Sequence, residues 1–396
     1  MVMVMRLYIA SESDILSGRV TDVYFIRTKE VLIKKGLSDV EVRLEFHVNG
    51  APRGYEWVVY AGLEEALKVL SQRPVRVYSI PEGTLVPPDP ALPIMVVEGR
   101  YVDFVELETA VLGIIRHSSS VATKAARIKR LGINNRFIFF GLRSAYPALA
   151  PMLDRSAYIG GFEGVSGIMS EEFLGIKPSG TMPHALIVVF GDNVKAWKAF
   201  DEVIPEDVPR IALVDTFEDE RMEAVKAANT LGKKLFGVRL DTPSSRRGNF
   251  REIIREVRWT LDLLGYNHVK IVASGGINEK SVQQLRDIVD IFGVGTSVAF
   301  PPPVDVGADL VEVKRGGVWT PISKRGKLPG AKKLYRCSTL EYEVTPWNST
   351  PRKCYEEVLH LYLDEGKLVR PLPKPHEIRE YVLSQLKEVP EPTPVD

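Results

Sequence analysis

The chain has 396 residues, of which 45% are hydrophobic and 26% are charged, and it is long enough for two or three domains with a large buried core. Its formal net charge of +1 gives no bulk electrostatic argument for a nucleic-acid or membrane partner, although a local anion site is compatible with it. The sequence has no run of about 18 apolar residues, no signal-peptide pattern at its start and only two cysteines, too few for a disulfide framework, so it predicts a cytoplasmic protein.

The first part of the chain mixes strands and helices without a regular order. Strand candidates are EVRLEFHV, EWVVYAG, VRVYSI and PIMVVEG, and GLEEALKVLSQ is a helix candidate. VTDVYF, near the start, looks like an ordinary strand when taken alone. This irregular order predicts an N-terminal α+β domain over residues 1–117.

Residues 118–303 alternate strands with amphipathic helices. The predicted strands are RFIFFGLR, AYIGGFEG, a short one near PSGTMPHA, RIALVDTF, KLFGVRLDT, VKIVASGG and DIFGVGTS. The predicted helices are NVKAWKAFDEV, EDERMEAVKAANTLG, NFREIIREVRWTLDLLG and NEKSVQQLRDIV. Such alternation predicts parallel βαβ units, and about seven strands favour an irregular open β/α barrel over a doubly wound sheet.

The last part, residues 304–396, has a different texture. It predicts a strand meander with a basic loop, a helix near PHEIREYVLSQLKEV and a proline-rich end. The sequence therefore divides into an N-terminal α+β domain, a barrel domain and a small C-terminal part.

Two neighbouring barrel strands end in glycine clusters. One cluster is Ser274–Gly276 and the other is Gly293–Thr296, with one helical stretch between them. Glycine lets the backbone turn sharply and bring its N–H groups close to a ligand, and the loops after the last two strands of β/α barrels commonly bind phosphate. We expect a phosphomonoester here; the alternative is that the glycines only form tight turns.

Charged residues end two further strands. Arg239 and Asp241 lie on one face of GVRLDT, where a guanidinium can hold phosphate oxygens and a carboxylate can accept ribose hydroxyls. The alternative is an ion pair that caps the barrel. Asp215 in LVDTFEDE is a candidate for Mg²⁺ or, equally, for capping the next helix. Arg246 and Arg247 add cationic reach or are only solvated.

Aromatic, acidic and histidine candidates follow other predicted strands. Phe140 and Arg143 in FFGLRSAYP suit a flat anionic ring through stacking and paired hydrogen bonds, although core packing is the alternative for Phe140. Glu163 stands between glycines in GGFEGVSG, at a predicted strand tip. His184 precedes an apolar run, where a lone histidine is more often structural than catalytic. The remaining histidines lack metal-ligand spacing.

Taken together, these motifs resemble those of one enzyme family. TDVYF, FFGLRSAYPALAPMLDR, GGFEGVSG, GTMPHAL, LVDTFEDE, VRLDTPSSRRGNF, ASGGI and FGVGTSVA occur in the order seen in nicotinate phosphoribosyltransferases, most similar to the short archaeal-type members. The resemblance extends from about residue 15 to about residue 335. It implies the type II phosphoribosyltransferase architecture, in which the C-terminal part packs on the N-terminal domain.

The resemblance also implies an activity. Such enzymes are pentosyltransferases of NAD salvage that join nicotinate to 5-phosphoribosyl 1-diphosphate, giving nicotinate mononucleotide and diphosphate. The reaction needs stabilised charge on the leaving group and aligned substrates rather than a side-chain nucleophile. The sequence indeed shows no convincing catalytic triad.

Site roles follow from the resemblance, position by position. The residues expected to hold the 5-phosphate are Gly275, Gly276, Gly295 and Thr296. Arg239 would face the diphosphate and Asp241 the ribose hydroxyls. His184 matches the histidine that some members phosphorylate with ATP.

The pyridine ring is expected between two aromatic side chains. Phe140 would stack on one face, and Tyr24 on the other, reaching in from a partner subunit. Arg143 is the candidate for the carboxylate or for a diphosphate oxygen. The further substrate-binding candidates are Asp22, Glu163, Ser179 and Thr181; Glu163 stands where relatives usually carry Asp.

The resemblance implies cofactors and partners as well. Mg²⁺ would arrive with the diphosphate and not on a protein metal site, and ATP coupling is left open. Some archaeal-type members carry a four-cysteine element, whereas Cys337 and Cys354 lack CxxC pairs, so zinc is not expected. A homodimer or a multiple of dimers with shared active sites is implied, with no nucleic acid and no membrane.

Two rival functions remain at this point. A quinolinate phosphoribosyltransferase shares the fold but adds decarboxylation, and it needs a denser cationic pocket for two carboxylates. A phosphoribosyl-ligand sensor would keep the phosphate site and lack turnover.

Overall fold

The computed structural model describes residues 6–243, 245–246 and 248–395, and the chain divides into two compact units. The first unit contains Met1–Thr123 and Pro302–Pro390, and the second contains Lys124–Pro301 and Glu391–Asp396. Among the described residues, no helix is both long enough and apolar enough to cross a membrane.

The first unit is built on a seven-stranded sheet to which both ends of the chain contribute. Its central strand, Glu41–Gly50, pairs antiparallel with Asp305–Arg315 on one side and with Pro93–Arg100 on the other. The order along the sheet is Val318–Pro321, Asp305–Arg315, Glu41–Gly50, Pro93–Arg100, Arg76–Ser79, His360–Asp364 and Lys367–Leu368. Side chains on both faces of Glu41–Gly50 are buried, the apolar ones in the core and Arg43, Glu45 and His47 on the other face.

Two small sheets and several helices complete the first unit. The small sheets are Val58–Val59 with Leu85–Val86, and Tyr342–Pro346 with Lys332–Arg336 and Glu356–Glu357. The helices are Glu12–Leu16, Val23–Lys34, Leu63–Leu70, Tyr101–Phe104 and Pro375–Glu388, and Glu108–Leu131 begins here and ends in the second unit.

The segment around VTDVYF is a helix and not the strand that it suggests when taken alone. Asp22 has the extended backbone of an N-cap residue, and helix Val23–Lys34 starts directly after it. The Asp22 side chain makes no capping hydrogen bond, so the tertiary context, and not the cap, overrides the strand preference of the valine, tyrosine and phenylalanine that follow.

Cys337 and Cys354 are bonded to each other, with their Cα atoms 4.7 Å apart. Sequence analysis left these two residues without a pairing. The disulfide joins the turn after strand Lys332–Arg336 to the chain just before Glu356–Glu357, and so ties together two strands of one small sheet.

The second unit carries a six-stranded sheet in which all pairings are parallel. The order is Gly164–Val165, Arg136–Phe139, Ile291–Val294, Lys270–Ala273, Leu235–Leu240 and Arg210–Leu213. The helices are Ala150–Ile159, Ser170–Leu174, His184–Phe190, Asn193–Val203, Glu220–Leu231, Phe250–Leu263, Glu279–Leu285 and Thr296–Ala299. The predicted open β/α architecture is confirmed, with six parallel strands in the described residues instead of about seven.

One predicted strand is absent and another is shortened. AYIGGFEG begins inside helix Ala150–Ile159, and its strand is reduced to Gly164–Val165. PSGTMPHA forms no strand in the described structure, and His184 begins a helix. Pro178 and Pro183 remove two backbone donors from this stretch, which disfavours a strand inside a sheet.

Candidate active site

The two glycine loops lie side by side at the carboxyl edge of the parallel sheet. Their strands are adjacent, and Ser297 Oγ donates to Ile277 O at 2.8 Å. This bond joins the loop that holds Gly295 to the loop that holds Gly275 and Gly276. The neighbourhood predicted from the sequence is present.

Gly275 occupies a position that no other residue fits. Its φ is +80°, and a Cβ there would lie 2.5 Å from Asp241 O. Gly276 also has a positive φ, +74°, and its backbone is exposed. Loops of this shape bring the backbone close to an anion, which agrees with a phosphate site.

Phe140 packs over the second glycine loop. A Cβ on Gly293 would lie 2.5 Å from the Phe140 ring, so glycine makes room for the aromatic side chain. Phe140 N–H donates to Val294 O at 2.8 Å, which extends the pairing of the two strands. Arg143 lies in the turn that follows and is exposed.

The turn after Phe140 is tied to the second glycine loop as well. The hydroxyls of Ser144 and Thr296 lie 2.8 Å apart. Thr296 therefore stands where predicted, although its hydroxyl is engaged within the protein.

Arg239 lies at this edge on the strand next to the end of the sheet, and its side chain is largely enclosed, with 12% exposed. One guanidinium nitrogen donates to Thr181 Oγ1, and another lies 3.3 Å from Asp241 Oδ2. Nε is buried and has no hydrogen-bond partner among the described residues. The guanidinium carbon is 5.9 Å from the centre of the Phe140 ring. A buried donor without a partner costs free energy, and a bound anion would remove that cost.

Asp241 connects Arg239 to the first glycine loop. Ser274 Oγ donates to Asp241 Oδ1 at 2.6 Å, while Oδ2 faces Arg239. The carboxylate is partly exposed, so it can still accept hydrogen bonds from a ligand hydroxyl.

Asp215 lies on the neighbouring strand end and is nearly enclosed. Its Oδ2 accepts the Asp241 N–H at 2.7 Å and lies 2.8 Å from Thr242 Oγ1, which is also 2.7 Å from Glu220 Oε1. The single hydroxyl hydrogen of Thr242 can be donated to only one of these two carboxylates at a time. Burial raises the pKa of Asp215, against the hydrogen bonds from Thr242 and Asp241 that lower it.

His184 faces both acids from the first turn of its helix. Its Nε2 lies 3.6 Å from Asp215 Oδ1 and 3.5 Å from Asp241 Oδ2, and Nδ1 is 3.1 Å from Thr216 Oγ1. The imidazole is 41% exposed, so a ligand can reach it. The structure thus brings His184 together with the predicted acids and Arg239.

Glu163 is placed elsewhere. It precedes strand Gly164–Val165 and accepts Lys129 Nζ and the Phe137 N–H, each at 2.8 Å. This is the amino edge of the sheet, so the expectation that Glu163 ends a strand beside the substrate is wrong in its placement. Ser179 pairs its N–H with Val165 O at 2.7 Å, close to the carboxyl end of that short strand.

Two of the remaining candidates, Asp22 and Tyr24, lie in the first unit. Asp22 Oδ2 accepts the Thr109 hydroxyl at 3.1 Å, and the Tyr24 ring is 56% exposed on the helix that Asp22 caps. Arg246 is exposed in the loop after Asp241, and Arg247 lies outside the described residues.

Sequence analysis missed residues that shape the loop after Asp215. Glu223 is fully buried and accepts three backbone N–H groups, from Thr216, Phe217 and Glu218, at 3.1, 2.7 and 2.9 Å. A glutamate in the first turn of the helix after a strand tip is a signal that could have identified it.

A magnesium ion suits the acids as a companion of a diphosphate. Asp215 Oδ1 is buried without a hydrogen-bond partner among the described residues, and Asp241 lies beside it. Within the described residues, no group of three acidic, histidine or cysteine side chains could hold a metal ion. Among the described residues, Asp215 and Asp241 would offer two carboxylates to an ion whose further ligands are phosphate oxygens and water, as Mg²⁺ prefers.

Comparison with known proteins identifies the family. Residues 22–119 match the quinolinate phosphoribosyl transferase N-terminal domain, and residues 121–309 match the C-terminal domain of the same family. The crystal structure of nicotinate-nucleotide pyrophosphorylase from Pyrococcus furiosus is 50% identical, with a TM-score of 0.92 over 97% of this chain and 99% of that chain.

Nicotinate phosphoribosyltransferases are more distant. The Bacillus subtilis enzyme is 28% identical over 361 residues, which cover 80% of this chain and 72% of that relative. The crystal structure of human nicotinic acid phosphoribosyltransferase shares the fold at 21% identity, with a TM-score of 0.77 and 93% of each chain covered.

These findings contradict the prediction that the chain is a nicotinate phosphoribosyltransferase. Both family matches and the 50% identical structure favour the quinolinate alternative. They also favour an enzyme over a sensor. The chain belongs to the quinolinate phosphoribosyltransferase family and is a phosphoribosyltransferase, which is a pentosyltransferase.

Proposed function

We propose that the chain converts quinolinate and 5-phosphoribosyl 1-diphosphate into nicotinate mononucleotide, diphosphate and CO₂, a step of NAD biosynthesis. The observation that carries the proposal is the 50% identity, over nearly the whole chain, to a protein named nicotinate-nucleotide pyrophosphorylase. The buried Arg239 Nε without a partner, beside two glycine loops, supports an anionic phosphoribosyl ligand at this edge.

The reaction needs alignment and charge stabilisation. The pyridine nitrogen forms a bond to C1 of the ribose while the C1–oxygen bond breaks and diphosphate leaves with the electron pair. The carboxylate at C2 of the ring then departs as CO₂, and the pair left on C2 takes up a proton. No side chain need form a covalent bond, so the protein acts through position and electrostatics.

The described residues suit these tasks at the carboxyl edge. The Gly275–Gly276 and Gly295 loops would hold the 5-phosphate, and Asp241 would accept the ribose hydroxyls. Arg239 would neutralise charge on the departing diphosphate. Mg²⁺, held through Asp215 and the diphosphate, would supply further charge neutralisation there.

Cationic side chains suit the two carboxylates of quinolinate. Phe140 offers a ring face beside the glycine loops, and Arg143 presents an exposed guanidinium at the adjacent turn. Arg246 lies on the loop after Asp241. We assign Arg143 and Arg246 to the ring carboxylates. Because loss of CO₂ makes the reaction effectively irreversible, we propose that it runs without ATP.

We also propose a homodimer in which Tyr24 serves the partner's site. Helix Val23–Lys34 exposes large apolar side chains at Val23, Tyr24, Ile26, Val31 and Ile33. Such a cluster on one helix favours a protein partner over water. An isologous contact between two copies would cover this helix in both.

Substrate choice tests the function. The protein is incubated with Mg²⁺, 5-phosphoribosyl 1-diphosphate and quinolinate, nicotinate or nicotinamide, each with and without ATP. We expect nicotinate mononucleotide from quinolinate, with one CO₂ released per diphosphate and no effect of ATP. Product from nicotinate but not from quinolinate would overturn the proposal.

Mixing of inactive variants tests the shared site. Tyr24→Ala and Arg239→Ala chains, each inactive alone, should regain about a quarter of the native activity when mixed in equal amounts, because one of the two sites in a mixed dimer is intact. Light scattering gives the assembly size in parallel. A fully active monomer would rule out the dimer.

A further inference from the structure

The helix after the Gly275–Gly276 loop begins at a buried carboxylate. Glu279 is the first residue of helix Glu279–Leu285, and its side chain is 0% exposed. A carboxylate is costly to bury unless charged or hydrogen-bonding groups replace its water. The partners of Glu279 therefore determine where this helix, and the loop before it, can lie.

Two cations on helix Glu108–Leu131 provide part of that compensation. Lys124 Nζ lies 2.7 Å from one carboxylate oxygen of Glu279, and Arg127 donates to both oxygens at 3.0 Å. The two basic side chains are 3% and 1% exposed. Burial alone would raise the pKa of Glu279, but Arg127 and Lys124 outweigh it and the pKa lies below its ordinary value.

A segment far away in sequence provides another donor. The Val395 N–H donates to Glu279 Oε2 at 2.9 Å, and Arg127 also donates to Thr393 O at 2.8 Å. The segment Glu391–Val395 belongs to the same compact unit as Glu279. Its Val395 N–H thus adds a backbone donor to the two basic side chains that already compensate the Glu279 carboxylate.

The sequence of this segment suits an extended conformation. Pro390, Pro392 and Pro394 alternate with the residues that make the contacts. Proline fixes φ, so the segment loses less conformational entropy when it docks. Glu391, the first contact, pairs with Arg286 at 2.7 Å.

The glycine loop is fastened at its other end and along its length. Ser274 donates to Asp241 Oδ1 at 2.6 Å, and Ile277 O accepts the Ser297 hydroxyl at 2.8 Å. Glu279 holds the end at which the loop becomes a helix. Gly275–Gly276 therefore lies between anchored points, and its geometry depends on each of them.

We propose that Glu391–Val395 is a positioning strap for the phosphate-binding loop. By completing the partners of Glu279, the strap sets the start of helix Glu279–Leu285 and orients Gly275–Gly276 toward the 5-phosphate of the donor. The inference rests on the proposed function only in that a phosphate binds this loop. Without the strap, water reaches Glu279 and the start of the helix is no longer fixed. The Gly275–Gly276 loop then binds phosphate more weakly, whereas Arg239 and Asp241 keep their positions.

Binding without turnover tests the strap directly. Ribose 5-phosphate is titrated calorimetrically into the full chain and into a chain that ends at Pro390, and thermal melts establish that both are folded. We expect the shorter chain to bind about tenfold more weakly, because it loses the Val395 N–H to Glu279, the Thr393 carbonyl to Arg127 and the Glu391 pair with Arg286 together. In turnover, KM for 5-phosphoribosyl 1-diphosphate should rise by a similar factor, with kcat within about twofold.

A matched pair of variants isolates the hydrogen bond to Glu279. Val395→Pro removes the N–H that Glu279 accepts, whereas Val395→Ala keeps it. We expect weaker ribose 5-phosphate binding by about threefold for Val395→Pro and unchanged binding for Val395→Ala.

The outcomes separate this inference from the proposed function. Native affinity in both Val395→Pro and the shorter chain would overturn the strap alone. A full chain that does not bind ribose 5-phosphate would overturn the strap and the phosphate site together. If the shorter chain binds ribose 5-phosphate more weakly but the full chain does not turn over quinolinate, the strap is supported and the proposed function is overturned.

Discussion

Arg210 and Arg239 lie on adjacent strands of the parallel sheet, both are buried, and they stand at opposite edges. Arg210 begins its strand at the amino edge and makes five hydrogen bonds. Its acceptors are the Asp201 carboxylate and the backbone carbonyls of Asp201, Ile204, Pro205 and Val208. Arg239 lies one residue before the end of its strand, and its Nε has no partner among the described residues.

The difference shows how a structural arginine and a ligand-binding one can be told apart. A guanidinium has five N–H donors, and at the amino edge the fold satisfies all five. At the carboxyl edge the fold buries the group but leaves donor capacity unused, which costs stability in the absence of a ligand. All N–H groups of the Arg210 guanidinium therefore have acceptors within the fold, whereas the Arg239 guanidinium keeps a donor that an anion could accept.

Replacing Arg239 with alanine should lower activity, whereas replacing Arg210 with alanine should lower stability. We expect Arg239→Ala to lower kcat/KM by about 10³-fold, because it removes a buried cation that meets developing charge on the diphosphate. Arg210→Ala should keep kcat/KM within about twofold and lower the free energy of unfolding by about 3 kcal/mol, since several carbonyls lose their donor. Steady-state kinetics and urea unfolding of both variants measure these effects.

The control is Arg239→Lys, which keeps the charge but not the fork of donors. It should recover part of the activity lost in Arg239→Ala. Loss of activity in Arg210→Ala at full folding, equal to that in Arg239→Ala, would show that the contrast between the edges has no functional meaning.

The carboxyl edge was largely predictable because it follows local rules. Alternation of strands and helices places strand ends at one edge, and glycine or charged residues directly after a strand mark that edge. The location of Gly275, Gly295, Arg239 and Asp241 at this edge was predicted in this way, whereas their roles stay predictions. What sequence could not supply was the state of each donor and acceptor, which depends on residues far away, such as Thr181 for Arg239.

Gly275 offers a second test at the carboxyl edge, with Gly265 as a matched control. Both have a φ near +80°, but a Cβ at Gly275 would meet Asp241 O at 2.5 Å, whereas nothing lies within 4 Å at Gly265. Backbone strain should cost each alanine variant about 1 kcal/mol of stability, and Gly275→Ala should lose more because its Cβ also meets Asp241 O. We expect Gly275→Ala alone to raise KM for 5-phosphoribosyl 1-diphosphate, by about tenfold, because the loop must move away from Asp241. Equal KM values in the two variants would contradict a phosphate site at this loop.

Asp154 tests whether a buried atom without a partner is sufficient to indicate a ligand site. Asp154 lies in helix Ala150–Ile159, is 1% exposed, and its Oδ1 has no hydrogen-bond partner among the described residues. Burial raises the pKa of Asp154 to about 7, although the Gly167 N–H lowers it in part. The carboxyl is thus protonated in the folded protein over a range in which the unfolded chain has already ionised.

The sign of the pH dependence follows from this difference. As pH rises from about 4 to about 7, the free energy of unfolding falls, because the unfolded chain ionises Asp154 and the folded protein does not. Above about pH 7 the fall levels off. Asp154→Asn, which cannot ionise, should gain up to about 4 kcal/mol relative to the native chain at pH 8, because a shift of about 3 pKa units is worth about 1.4 kcal/mol per unit, and nothing at pH 4. Thermal melts at the two pH values measure it, and kcat/KM should stay unchanged. A large loss of activity would place Asp154 in the ligand site.

Glu163 shows why the amino edge was misread. Sequence analysis placed it at the end of a strand, because AYIGG contains residues that strands favour. In the structure those residues finish a helix, and Glu163 precedes the strand instead of following it. Its partner Lys129 lies on a long helix that the sequence pattern did not reveal. An error of a few residues in the predicted strand boundary therefore placed Glu163 at the carboxyl edge, whereas it lies at the amino edge.

Replacing Glu163 at the amino edge should have the smallest effect of these substitutions. Glu163→Gln keeps an acceptor for the Phe137 N–H and removes the charge that faces Lys129, whose side chain is 5% exposed. Because Lys129 Nζ retains Asn135 O at 2.6 Å, the expected loss is only about 1 kcal/mol of unfolding free energy. Asp207→Asn, which breaks an exposed pair with Lys177, serves as the control and should change stability by less than about 0.5 kcal/mol. Kinetics should be native in both variants, since neither acid lies at the carboxyl edge; a fall in kcat/KM for Glu163→Gln alone would return this residue to the substrate site.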